Sequence, residues 1–184
     1  GAHGFKEIMQ VGLEVLGDID DYCVFEVLTL AAKSLRQISE TAILDVSHLG
    51  LLSELLESIG VPNDKKEQLL KFVSEKNAHE LTALCLEVGI SQQDTDRLRQ
   101  LVALRGTPTQ VLPRLEVLLD GCVNLQTLTQ FKQIMVALEN SDCGAMPRID
   151  FSVVDNLRYY NGFVFKGFVQ GLPGSVLSGG QYDQ

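Results

Sequence analysis

Residues 148–183 read RIDFSVVDNLRYYNGFVFKGFVQGLPGSVLSGGQYD, and this stretch decides the fold. Apolar and polar side chains alternate through Ile149, Phe151 and Val153, which predicts a strand over 148–154. Residues 162–170, rich in Phe and Val, predict a second strand. Gly171-Leu172-Pro173-Gly174 is a turn, because Pro fixes φ and Gly reaches backbone conformations closed to other residues. Residues 175–177 continue as a third strand. Gly179-Gly180 then lets the backbone pass close to something.

The chain before this stretch has a different character. From 63 to 140 the pattern predicts only helices. Asn63 is expected to cap a helix over 64–75, and a second runs over 78–88 to Gly89. Ser91 with Asp94 resembles a capping box, opening a helix to about residue 105. Thr107 with Pro108 opens the next, to residue 119. After Gly121 a last helix covers 125–139. Earlier still, residues 5–16 predict a strand closed by Gly17. Asp18, Asp20 and Asp21 then sit in the first turn of a helix, where they suit the positive end of its dipole. Residues 42–46 predict a short central strand, nearly all apolar. Ser47 is the expected N-cap of a helix over 48–59, which Gly60 stops. The order implies an α+β core interrupted by an all-helical insertion. The expected division is 1–60, 61–146 and 147–184.

The bulk chemistry excludes several functions. The 184 residues carry a net charge of -9, from 15 Lys and Arg against 24 Asp and Glu. An acidic chain is a poor partner for a phosphate backbone. The densest basic run, Lys65-Lys66, is flanked by Asp64 and Glu67, so no nucleic-acid partner is expected. Cys23, Cys85, Cys122 and Cys143 form no CxxC pair, and His3, His48 and His79 are dispersed, so neither a metal nor a cofactor is expected. Unpaired thiols and the lack of an 18-residue apolar run fit a cytoplasmic protein away from the membrane.

Three clusters carry chemistry. Gln10 and Glu14 are four apart on a predicted strand, which points both to one face, where together they suit an ammonium or a ring N–H. The same letters suit a solvated sheet face. Tyr159-Tyr160 lies between two strands; one ring can pack while the other offers its hydroxyl to a ligand. A plain hairpin gives the same pair. Gly179-Gly180 with Tyr182 suits a backbone that touches a small ligand, or a simple loop.

Together these clusters resemble the histidyl-tRNA synthetases. Tyr159-Tyr160-Asn161-Gly162-Phe163-Val164-Phe165 looks like that family's first histidine motif, and Gly179-Gly180-Gln181-Tyr182-Asp183 looks like its second, GGRYD. Gln10 and Glu14 match the pair that contacts histidine, and the helical stretch falls where the family carries its insertion. The resemblance implies a partial class II synthetase-like antiparallel sheet with helices. It also implies a histidine pocket of Gln10, Glu14, Tyr159, Tyr160, Gly179, Gly180 and Tyr182.

The departures point away from catalysis. The family's first motif reads RGLDYY, and its arginine meets the α-phosphate and carboxylate. Here Asp155-Asn156-Leu157-Arg158 precedes the tyrosines, so Asp155 holds the lost catalytic arginine position. Adenylate formation builds negative charge that a guanidinium stabilises and a carboxylate repels; losing one such donor costs about 3–4 kcal/mol. Arg158 stands three residues on, and an Asp155–Arg158 ion pair accounts for both. Gln181 replaces the arginine of GGRYD. Synthetase motifs 1 and 3, the motif 2 arginine loop and the anticodon-binding domain are not found.

One group of synthetase-like proteins resembles this pattern: the regulatory subunits of short-form ATP phosphoribosyltransferase, in histidine biosynthesis. The stretch ILDVSHLGLL at 43–52 is similar to their strand–helix junction. The resemblance implies no catalytic residues of its own, and a short catalytic phosphoribosyltransferase chain, a glycosyltransferase-type enzyme, as partner. It implies a homodimer within a hetero-oligomer, with histidine as ligand or feedback inhibitor through coupled subunits. The alternatives are a fragment of an active histidine–tRNA ligase and a plain helical interaction module.

Overall fold

The computed structural model describes residues 11–16, 21–141, 145–154 and 160–182. Gln10, Gly17, Asp18, Asp20, Asp155, Arg158, Tyr159 and Asp183, named above, lie outside the described residues.

The sheet is built from β1 (Val11–Leu16), β2 (Ile43–His48), β3 (Arg105–Gly106), β4 (Met146–Asp150), β5 (Phe163–Phe168) and β6 (Leu177–Tyr182). Their order across it is β1-β6-β5-β2-β4-β3. At its centre β6, β5 and β2 run antiparallel. A parallel partner flanks them on each side, β1 against β6 and β4 against β2. Among the described residues the helices are α1 (Asp21–Ile38), α2 (Leu49–Ile59), α3 (Lys66–Ser74), α4 (Ala78–Glu87), α5 (Gln92–Ala103), α6 (Pro108–Leu119) and α7 (Leu125–Asn140). The α+β class read from the sequence is the class observed.

Local chemistry explains most element ends. Gly60 takes a left-handed φ of +92° after α2, and Val61 N–H closes onto the Leu56 carbonyl at 2.9 Å. The Ser91 side chain accepts from Asp94 N–H at 3.1 Å and starts α5. Thr107 and Gln110 form a reciprocal capping box at the start of α6.

Other ends move for tertiary reasons. The N-cap of α2 is His48, not Ser47: β2 stays paired with β5 as far as His48 opposite Phe163, so the extended backbone runs one residue further. Asn63 sits in a short 3₁₀ turn, Asn63–Lys65, and makes no side-chain cap. The helix expected to reach residue 105 stops at Ala103, and Arg105–Gly106 instead pairs with β4. The paired glycines lie within β6 rather than after a strand ending at 177.

Burial holds these elements together. In α1, Val24, Leu28, Ala31, Ala32 and Leu35 are buried along one stripe against β2, β5 and β6. Leu35 seats on Gly167: a Cβ there would lie 2.6 Å from both Leu35 methyls. Helices α3 to α7 pack each on the next, and α7 returns to α1 and β4. Their buried side chains belong to the same continuous core as those of the sheet. Each large aliphatic side chain so buried contributes about 1.5–3 kcal/mol.

His48 sits at the junction of sheet and helices. Its ring packs edge-on against Phe163 at 5.0 Å and Phe131 at 5.9 Å between centroids. Its Nδ1 accepts from Leu51 N–H at 3.1 Å, so Nε2 carries the proton. Burial lowers its pKa from 6.5 to about 4. Below pH 6.5 the unfolded chain therefore binds a proton that the folded chain refuses. The neutral ring's contribution is complete above that pH and is lost progressively as pH falls to about 4, by about 3 kcal/mol at most. His48→Asn keeps an N-cap acceptor but cannot titrate. We expect the variant to be less stable at pH 7, yet to lose less stability than the native chain between pH 6.5 and 4.5. Urea unfolding across that range checks this; parallel curves would refute it.

Candidate functional site

Of the residues expected to form the site, Gly179, Gly180 and Tyr182 lie on β6, Glu14 on β1 and Tyr160 in the segment before β5. Gly162 N–H and Asn161 N–H both donate to the Gln181 carbonyl at 3.2 Å, and Leu49 N–H donates to the Gly162 carbonyl at 2.9 Å. These bonds fix the loop leading from Tyr160 into β5. They also bring α2 close: a Cβ on Gly50 would lie 2.7 Å from the Asn161 carbonyl oxygen.

Tyr160 is buried, at 8% exposure, with its ring directly over Gly180. A Cβ on Gly180 would lie 2.6–2.8 Å from the ring carbons, closer than real contacts allow. The close approach expected at the paired glycines is therefore made by this ring. Beside it lies a recess of about 40 Å³, lined by Val153, Tyr160, Val164, Lys166, Ser178 and Gly179. Glu14 stands opposite Gly180 in the β1–β6 register, and Leu16 opposite Tyr182. Gln10, Asp155 and Tyr159 lie outside the described residues.

Gln181 occupies the opposite face. Its Oε1 accepts from Phe163 N–H at 3.3 Å, and it lines a crevice with Val24, Val27 and Leu28 of α1. Alternation along β6 puts neighbours on opposite faces, so Gln181 turns away from the Tyr160 ring.

A second polar group shares the Tyr160 face, because paired residues point to the same side. The register aligns Lys166 with Asp45, Asp45 with Arg148, and Asp150 with Arg105. Asp45 and Asp150 are buried, at 3% and 4% exposure. Arg105 bridges them, from one guanidinium nitrogen to Asp45 Oδ2 at 3.1 Å and from Nε to Asp150 Oδ2 at 3.6 Å. Lys76 adds a second cation on Asp150 at 3.2 Å. Burial pushes the Asp45 carboxyl up, against the pull of Arg105; the nearby Asp150 pushes the same way as burial. Asp45 Oδ1 and the Ser47 hydroxyl are buried without a hydrogen-bond partner among the described residues. Sequence reading passed over this group. The available signal was an aspartate inside each of two strands that otherwise read as core.

With the geometry described, comparison with known proteins places the chain. The sequence model of the histidyl-tRNA synthetase family matches residues 1–184. The chain belongs to that family. Within this synthetase family it is similar to proteins called ATP phosphoribosyltransferase regulatory subunit. The one from Streptococcus gordonii is 31% identical over 97% of this chain and 54% of the relative. The one from Bacillus pumilus is 29% identical over 97% of this chain and 46% of the relative. The chain thus spans about half the length of the curated relatives it matches. The fold is also that of solved family structures. An ATP phosphoribosyltransferase regulatory subunit/histidyl-tRNA synthetase from Bacillus halodurans superposes with a TM-score of 0.78 at 24% identity, over 89% of this chain and 43% of that one. A chain of the ATP phosphoribosyl transferase (HisG:HisZ) complex from Thermotoga maritima gives 0.65 at 19% identity, over 82% and 52%. Among the described residues, no helix is long and apolar enough to cross a membrane.

Gly180→Ala tests the ring-on-backbone contact. The added methyl has no room beneath Tyr160, so the ring must leave the face of β6. We expect a loss of about 1–3 kcal/mol in chemical denaturation. A variant as stable as the native chain would show that the ring is not held there.

Proposed function

We propose that this chain is the synthetase-like part of a non-catalytic regulatory subunit of ATP phosphoribosyltransferase in histidine biosynthesis. On this reading the Tyr160–Gly180 face binds histidine or supports its feedback inhibition. The partner is the short catalytic phosphoribosyltransferase chain, and the protein works as a homodimer within a hetero-oligomer in the cytoplasm. The names borne by its relatives support the reading, as does the complex in which the Thermotoga neighbour was solved.

The observation that carries it is the charge at position 155. The family resemblance puts an arginine there for adenylate formation, and this chain has an aspartate. A carboxylate beside a developing phosphate charge raises the barrier instead of lowering it. Gln181, where the family motif GGRYD has its arginine, is engaged with the Phe163 amide on the other face of the sheet. What remains is a face suited to holding a small ligand. Regulation additionally requires that the ligand be held with different affinity in two states of the assembly.

The decisive experiment uses the full-length protein with its catalytic partner. We expect the two to co-purify, the activity of the pair to fall with histidine, and histidine-dependent ATP–pyrophosphate exchange to be absent. Exchange at a synthetase-like rate would favour the alternative, a fragment of an active histidine–tRNA ligase. No association and no response to histidine would refute the regulatory role.

A further inference from the structure

Asp150 ends β4 and holds two distant parts of the chain at once. Its Oδ1 accepts from Ser152 N–H at 2.9 Å and from the Ser152 hydroxyl at 2.6 Å. Val153 N–H closes the same turn onto the Asp150 carbonyl at 3.2 Å. The turn delivers Val153 to the wall of the recess beside Tyr160. The other oxygen, Oδ2, takes Lys76 and Arg105. Both cations come from the helical region: Lys76 from the link between α3 and α4, Arg105 from the segment between α5 and α6. Lys76 holds a left-handed φ of +53°, which L side chains rarely adopt, while its ammonium reaches Asp150.

We propose that Asp150 is a positioning residue for the Tyr160 recess, and that Lys76 and Arg105 let the placement of the helical region set it. The ligand half rests on reading the Tyr160–Gly180 face, which that recess borders, as the histidine site. The Asp150 side chain is 6% exposed, so its charge is tolerated because two cations face it. Remove them and the carboxylate turns toward water. That disturbs the acceptor that holds Ser152, and the recess wall loosens with it. A shift of the helical region against the sheet would act on the same bonds, which gives a physical route from one to the other. Coupling of this kind typically changes an affinity by 5–150-fold.

The test is made on the full-length protein carrying Lys76→Gly and Arg105→Gln together. Glycine suits the φ of +53°, and both native side chains are about two-fifths exposed, so packing is spared. Asp150→Asn is the second variant, keeping an Oδ1 acceptor while removing the charge. Amide hydrogen exchange without ligand is read at Ser152 and Val153, with α7 as internal control, and histidine affinity by calorimetry. We expect exchange at the two amides to rise about tenfold with α7 unchanged, and the Kd to weaken about 5–50-fold. The same pattern from Asp150→Asn supports the proposal even where the double variant loses protection throughout. Unchanged exchange at Ser152 and Val153 overturns the positioning role. Faster exchange with an unchanged Kd overturns the link to ligand binding. A native protein that binds no histidine refutes the pocket reading and the ligand half together, and the exchange result still decides the positioning role.

Discussion

Gly167 and Gly180 lie on neighbouring strands and on opposite faces of the sheet, and each is the floor for a side chain packed straight onto the backbone. Leu35 of α1 fills the space over Gly167, and the Tyr160 ring fills the space over Gly180. Any Cβ at either position would push a layer outward. The central antiparallel strands are thus thin where a helix lands on one side and where the ring rests on the other. Close approach raises dispersion contacts on both faces. On the α1 side, Phe163 at the start of β5 also packs against His48 and Phe131.

Charge provides a second constraint. Two carboxylates buried on one sheet face would repel each other and pay for desolvation, unless cations reach them. Arg105 and Lys76 do so from the helical region. A buried ion group of this kind adds little net stability over an apolar equivalent, but it strongly disfavours arrangements that leave one charge unpaired. It therefore selects how the helices sit on the sheet. Its position on the Tyr160 face places that selection next to the candidate ligand site.

Membership of a synthetase family and the proposed regulatory role fit one another in this chain. On the proposed reading, the buried Tyr160 and the glycines of β6 serve binding. Asp155 stands where the family resemblance puts the arginine of the first motif, and Gln181 where it puts that of GGRYD. A binding face without its catalytic cations still has a use when the ligand is a signal and another subunit performs the reaction.

The sequence alone determined the helices and several of their ends, because capping and amphipathic spacing act over three or four residues: Ser91, Thr107 with Pro108, and Gly60 are legible one at a time. β5 was legible from its run of Phe and Val, and the family from the tyrosine and glycine motifs, whereas the last strand, expected over 175–177, runs over Leu177–Tyr182. Tertiary structure decided what joins residues far apart. Arg105 meets Asp45 across 60 positions, and Arg105–Gly106 becomes a strand only because β4 is there to pair with it. The shift of the α2 cap from Ser47 to His48 follows from pairing with β5. No local period encodes such pairings. They are set by which buried groups must find partners once the core closes, and that is a property of the whole fold.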